Sequence, residues 1–195
     1  MPDWPHRGEE EAGMSVLTGE HGPLEHWPRS PADGARHCEP VGGVPRANRK
    51  TPACHRAATF ELGHQLRAQL PRQLCVLLEV EVVTRPHPAT VRVPDLVVVP
   101  RAVARRNPVR YPAFDVALAV ELLPAGADPG GRRARIAEYA AAGIRGYWTV
   151  ELAGGPRLTA YRLADTGYRP EAEGSGTLVL DVPVPVTLEL DRLCR

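Results

Sequence analysis

Two carboxylates sit where the surrounding pattern asks for apolar side chains. Val116–Val120 reads Val-Ala-Leu-Ala-Val, apolar on both faces, and is followed by Glu121. Upstream, Asp95 interrupts the run from Val91 to Val99. An ionised carboxylate in a buried strand is costly unless it is paired or bound to a cation. If the two strands pair through their connection, Asp95 and Glu121 converge at one end of a sheet. Two hard oxygen donors there suit Mg²⁺ or Mn²⁺. Such an ion lowers the pKa of bound water and offsets the charge of a reacting phosphate. A plainer reading stays open: each acid caps a strand end and pairs with a nearby Arg.

Cationic groups are spaced to complement these acids. Arg132, Arg135 and Tyr139 fall at i, i+3 and i+7, on one face of an expected helix. A guanidinium near a metal site can hold a phosphate bidentately. Alternatively, these arginines lie on a solvated face and pair with Glu138. Arg101, Arg105, Arg106 and Arg110 follow the second strand with no acid among them. They are expected to form an exposed, mobile rim to the cleft that touches backbone phosphates with little base readout. A rival metal site is the pair of doublets His37-Cys38 and Cys54-His55. Zinc accepts two Cys and two His, but its ligands within each half are ordinarily two to four residues apart, and adjacent side chains diverge.

The elements that must position these groups can be read from periodicity. Ala58, Leu62, Leu66 and Leu70 recur every four residues and define an amphipathic helix ending before Pro71. Cys75–Val83, Val91–Val99 and Asp115–Leu123 read as three strands. Arg132–Ala142 reads as a helix capped at Gly143, with Ile136 and Ala140 beginning the face toward the sheet. Tyr147–Leu152 is a fourth strand. A hairpin around Thr166-Gly167 and one or two strands within Leu178–Leu190 complete the chain. The expected fold is α/β: a mixed sheet flanked by helices in α-β-β-β-α-β order, with a C-terminal hairpin extension.

Composition narrows the functional classes. The 195 residues allow one domain or one domain plus a tail. With 43% apolar but only 5% aromatic residues, aliphatic side chains must build the core. The 24 basic and 23 acidic residues leave a net charge of +1, so attraction to nucleic acid must be local. Lys50 is the single lysine, which excludes lysine-dependent chemistry unless Lys50 supplies it. No apolar run approaches a membrane span, and Met1–Gly13 lacks the apolar core of a secretory signal. Four scattered cysteines read as reduced thiols, so a cytoplasmic location is expected. Residues 1 to about 50 have little periodicity and read as a loose arm carrying at most one short element.

Several of these motifs together resemble the Uma-two family of restriction-endonuclease-like proteins, within the PD-(D/E)xK nuclease superfamily. They are Arg92-Val-Pro-Asp95-Leu-Val-Val-Val99, Ala119-Val-Glu121-Leu-Leu, and Tyr139-Ala-Ala-Ala-Gly143-Ile-Arg-Gly-Tyr147-Trp148 followed by Val150-Glu151. Cys38-Glu39-Pro-Val-Gly-Gly43 resembles the family's Tyr-Glu-Leu-x-x-Gly entry segment, with Cys in place of Tyr. Thr51–His55 stands where the family opens its first helix with His. Ala160-Tyr161-Arg-Leu and Gly167-Tyr168-Arg resemble its C-terminal hairpin. The resemblance runs from about residue 17 to the end, leaving 1–16 as a flexible arm beside a single domain over 17–195.

By resemblance, Asp95 and Glu121 are the metal-binding acids, and Glu39 and His55 lie near the metal. Leu123 occupies the position of the usual motif lysine. The family places that lysine fourteen residues past the Glu, where this chain has Arg135. Arginine cannot act as a base. The resemblance thus implies a Mg²⁺-dependent DNA endonuclease, able to act as a homodimer and without membrane partners. The alternative is an inactive nuclease-fold protein that binds nucleic acid or a partner protein.

Overall fold

A computed structural model describes residues 38–47, 51–124 and 126–194. The 1–16 arm, His37 and Lys50 lie outside these residues. In chain order the strands and helices are β1 (Cys38–Val41), β2 (Val44–Ala47), α1 (Ala53–Gln69), β3 (Leu74–Leu78), β4 (Glu81–Arg85), β5 (Thr90–Arg92), β6 (Leu96–Pro100) and α2 (Arg101–Ala104). They continue with β7 (Arg110–Pro112), β8 (Leu118–Leu123), α3 (Pro129–Ala141), β9 (Gly146–Glu151), β10 (Arg157–Ala164), β11 (Gly167–Gly174), β12 (Thr177–Leu180) and β13 (Val186–Glu189).

The main sheet has the order β11-β10-β9-β8-β6-β3. Its single parallel pair is β8–β9. A parallel pair needs a crossover, and α3 supplies it. Reading only the elements of this layer, the order is α1-β3-β6-β8-α3-β9, a mixed α/β arrangement flanked by helices.

Successive residues of a strand face opposite sides, so each central strand feeds two cores. Leu96, Val98, Leu118, Val120 and Leu122 pack with Ala58, Leu62 and Leu66 of α1. Val97, Val99, Ala119 and Tyr147 pack with Tyr139 of α3 and with Val82 and Tyr111 of a small β5-β4-β7 sheet. Because β6 and β8 are apolar on both sides, a carboxylate at their ends stands out in the sequence.

The structure corrects several boundaries. The run 75–83 is two strands in different sheets, because Glu79 takes a left-handed conformation (φ 50°) between β3 and β4. Val91–Val99 breaks at Val93-Pro94-Asp95, separating β5 from β6. The stretch read as a loose arm ends in an antiparallel β1–β2 hairpin docked beside β5, where the Gly42 N–H donates to Thr90 Oγ1 at 3.1 Å. The segment after β6 is a helical turn, α2, rather than a plain loop. Finally, Tyr139 is the fully buried residue of α3; Ile136 packs against the same core but is only half-buried, and with Ala140 it also lines a groove against the β10–β11 turn. The inner face of α3 is shared with side chains that reach carboxylates, which apolar periodicity passes over.

Local chemistry fixes where α3 starts and stops. The Asp128 carboxylate accepts from the N–H groups of Gly130 (3.0 Å) and Gly131 (2.8 Å), and Pro129 occupies the first turn. Gly143 ends it in the left-handed conformation, φ 82°. No helix among the described residues is long and apolar enough to cross a membrane.

Candidate active site

The β6–β8 ladder pairs Leu96 with Val120 and stops there. Asp95, one residue earlier, therefore lies beside Glu121 at the same end of two neighbouring strands. Its side chain takes over from the ladder: Oδ2 accepts the Leu122 N–H at 2.7 Å. His55, in the first turn of α1, puts Nε2 3.2 Å from the Leu122 carbonyl and 3.4 Å from Asp95 Oδ1. Both neighbours are acceptors, so Nε2 carries the hydrogen and holds the carboxylate in place.

Among the described residues Asp95 has no guanidinium partner. Burial pushes its pKa up to about 6, the charges of Glu121 and Glu79 add to the rise, and the Leu122 N–H and His55 oppose it. The folded protein thus holds this proton more tightly than the unfolded chain does. The stabilisation from protonation is complete below pH about 4, the ordinary carboxyl range, and is lost as pH rises through about 6. Asn mimics the protonated form. Asp95→Asn is therefore expected to stabilise the metal-free protein by about 2 kcal/mol at pH 8 and to be neutral near pH 4. Melting curves at both pH values check this, and an equal effect at each would assign the shift to something other than the Asp95 charge.

Glu121, next along β8 from the Val120 that pairs with Leu96, reaches toward α3. Its Oε1 accepts from Arg135 Nη1 at 2.6 Å and from the Tyr139 hydroxyl at 2.8 Å. Its Oε2 accepts from the Tyr147 hydroxyl at 3.1 Å. Both tyrosines are fully buried. Burial, reinforced by the Glu121 charge, raises both phenols well above their ordinary range, so both hydroxyls remain donors. Tyr147 is braced edge-on by Tyr139 (ring centroids 5.1 Å apart) and stacks with Tyr161 and Tyr168 (5.9 Å each). For Arg135, burial opposes the charge, but Glu121, Tyr139 and Glu39 more than offset it and hold the guanidinium firmly protonated.

Glu39, on β1, joins the same cluster and is 4% exposed. Oε1 accepts the Val93 N–H at 2.8 Å, and Oε2 lies 3.2 Å from Arg92 Nη1 and 3.6 Å from Arg135 Nη2. Arg92 in turn forks onto Glu138, whose Oε1 also accepts the Thr84 hydroxyl at 2.7 Å. The result is an alternating chain of charges, Glu138–Arg92–Glu39–Arg135–Glu121. Glu138 pairs with Arg92 rather than with the arginines of its own helix. Sequence reasoning missed Arg92, Glu138 and Tyr147 as parts of the cluster. A faint signal existed in Arg92, which opens the motif that contains Asp95.

The remaining arginines are distributed unequally. Arg132 reaches Glu151 (2.7 Å) and Thr149 Oγ1 (2.9 Å) at the carboxyl ends of β8 and β9. It lines a cavity of about 260 Å³ with Leu123, Pro124, Pro129 and Glu151, two residues beyond Glu121. Arg101, Arg105 and Arg106 are not brought to this end. Asp95 precedes β6 and α2 follows it, so five residues of strand, roughly 17 Å, intervene. Arg101 donates to the carbonyls of Arg72 (2.7 Å) and Leu74 (3.1 Å). Arg110 pairs with Glu81 at 2.6 Å and is largely buried. Arg105 and Arg106 are exposed.

The donor set admits a hard cation. Glu121 Oε1 already accepts two hydrogen bonds, but Oε2 accepts one, and Asp95 Oδ1 has only the long contact to His55. Two carboxylate oxygens with remaining lone pairs fit Mg²⁺ or Mn²⁺, which otherwise keep water or take substrate oxygens. Zinc is poorly served: Cys54 is exposed, His37 lies outside the described residues, and no group of three or more His, Cys, Asp or Glu among the described residues is arranged for a metal.

The family described as Uma2, putative restriction endonuclease, matches residues 24–192. A crystal structure of a putative nuclease belonging to DUF820 from Anabaena variabilis shares the fold, with a TM-score of 0.61 over 80% of this chain and 88% of that one at 15% identity. No curated protein matches the chain.

Proposed function

The chain belongs to the Uma2 family of putative restriction endonucleases, and on that premise we propose that it is a divalent-metal-dependent endonuclease hydrolysing DNA phosphodiester bonds. The observation that carries the reading is Asp95: a largely buried carboxylate that meets no guanidinium or ammonium group among the described residues, beside a second carboxylate at the same sheet end. A purely structural strand cap gains nothing from that desolvation.

Asp95 and Glu121 would hold the cation. Bound there, it supplies an acidified water and neutralises charge on the scissile phosphate. The protein's own residues do the positioning. Tyr139 and Tyr147 fix the two oxygens of Glu121, and His55 and the Leu122 N–H fix Asp95. Arg135 cannot accept a proton, so its role is electrostatic: it lies against Glu121 and can stabilise charge accumulating on the phosphate. Arg132, beside the cavity at the β8–β9 end, is placed to meet a neighbouring phosphate.

The test is nicking of supercoiled plasmid by purified protein in Mg²⁺ or Mn²⁺, with a chelator control. Metal-dependent conversion to open circles is expected. Salt-sensitive DNA binding without any cleavage would favour the second reading, an inactive nuclease-fold binder. That reading is supported by Arg135 lying 2.6 Å from Glu121, where a cation must compete with it.

A further inference from the structure

Arg135 is shared unequally between two carboxylates. Its Nη1 sits on Glu121 Oε1 at 2.6 Å, while its Nη2 stands 3.6 Å from Glu39 Oε2, too far for a hydrogen bond. Glu121 does not depend on this guanidinium for its orientation. Oε1 also accepts the Tyr139 hydroxyl at 2.8 Å and Oε2 the Tyr147 hydroxyl at 3.1 Å, so the carboxylate stays aimed if Arg135 leaves. Glu39 is held in place independently as well. Oε1 accepts the Val93 N–H at 2.8 Å, Oε2 meets Arg92 Nη1 at 3.2 Å, and the residue is buried. Its hairpin is pinned in turn, the Gly43 N–H donating to the Ala89 carbonyl at 2.8 Å.

Arg92 does not use up Glu39. Its Nε and Nη2 both go to Glu138, and only Nη1 faces Glu39. A carboxylate oxygen has two lone pairs, so Glu39 Oε2 can accept a second donor, with Arg135 Nη2 already close by. An arginine in contact with a carboxylate that is to take a cation has to move, because it cannot give up its proton.

We propose that Glu39 is the second seat of the Arg135 guanidinium: when Glu121 takes up a divalent cation, Arg135 passes from Glu121 to Glu39. The inference rests on the catalytic reading of Asp95 and Glu121, and it gives Glu39 the part of positioning Arg135 rather than holding the ion. An ordinary charge-assisted contact of about 2.8 Å asks Nη2 to come only about 0.8 Å closer. The move keeps a largely buried guanidinium paired throughout. It also leaves that charge inside the site, where it can meet a phosphate. Without the Glu39 charge, a cation on Glu121 would strand Arg135, so Glu39 sets cation affinity through Arg135.

Titration calorimetry of the full chain with Mn²⁺ tests this in the wild type, Glu39→Gln, Arg135→Ala and the double variant. Gln keeps an oxygen for the Val93 N–H but lacks the charge. Glu39→Gln is expected to weaken Mn²⁺ binding at least about tenfold. In the Arg135→Ala background the same change should cost less than about threefold, since no guanidinium is left to reseat. Equal losses in both backgrounds would show that Glu39 acts on the ion directly and would overturn the proposal, as would an unchanged affinity in Glu39→Gln. Wild-type crystals with and without Mn²⁺ need no variant. With the ion bound, the Arg135–Glu39 contact should shorten to about 2.8 Å and the Arg135–Glu121 contact should break. If the variants fail to fold, these crystals decide alone. Mn²⁺ seated on Glu121 with Arg135 unmoved refutes the handover and leaves the nuclease reading standing. No Mn²⁺ at Asp95 and Glu121 contradicts that reading, and the handover falls with it.

Discussion

Asp95→Asn is expected to lower metal-dependent phosphodiester cleavage by about a thousandfold or more, roughly 4 kcal/mol of transition-state stabilisation, while the fold becomes more stable at pH 8. The two effects share one cause. Asp95 is largely buried with no guanidinium or ammonium partner among the described residues, and burial pushes its pKa to about 6. Asn keeps an oxygen for the Leu122 N–H but removes the charge that would recruit a cation. A residue serving only the fold would lose stability on substitution; one held for chemistry gains it. Glu121→Gln should be equally inactive but less stable. Its charge answers Arg135 at 2.6 Å, and leaving a guanidinium largely buried without its partner is costly. Rates measured beside melting temperatures separate the cases. Cleavage that survives in either variant would remove that acid from the mechanism.

The second large effect concerns Arg135. Arg135→Ala is expected to reduce cleavage by about 10²- to 10³-fold, through kcat more than KM, while DNA binding is largely retained. The guanidinium bridges Glu121 and Glu39, at 2.6 and 3.6 Å, so its loss also leaves two buried carboxylates facing each other. Some stability should go with it. Arg135→Lys is the informative control. An ammonium keeps the positive charge and can still reach Glu121, but it makes a single-point contact that competes less with a cation for the carboxylate. Activity should be kept or raised. Equal loss in both variants, or loss in neither, would make Arg135 a bystander.

Much of the frame was legible because burial writes itself into sequence. α1 shows its apolar face at Ala58, Leu62 and Leu66, and apart from Glu121 β6 and β8 are apolar on both faces because both their sides are covered. The same continuity exposed Asp95 and Glu121 as exceptions. The inner face of α3 was only half legible: Ile136 does pack against the core, but Arg132, Arg135 and Tyr139 also turn inward to meet oxygen atoms, which an apolar search passes over. Glu79 concealed the break between β3 and β4, since a left-handed residue other than glycine leaves no mark in composition. The contacts of Glu39 with Arg92 and Val93 span more than fifty residues. Pairings at that separation are set by tertiary structure, and no local pattern announces them. Similarly, Arg101, Arg105 and Arg106 belong to a basic run in sequence, but the direction of β6 carries them away from the acids.

The central claim is that Asp95 and Glu121 share one divalent cation. Anomalous scattering from crystals soaked in Mn²⁺ tests it most directly. The expected result is a single strong peak between the two side chains, with an oxygen of each about 2.1 to 2.3 Å from the ion. No peak there, or a peak bound by one of these acids without the other, would contradict it.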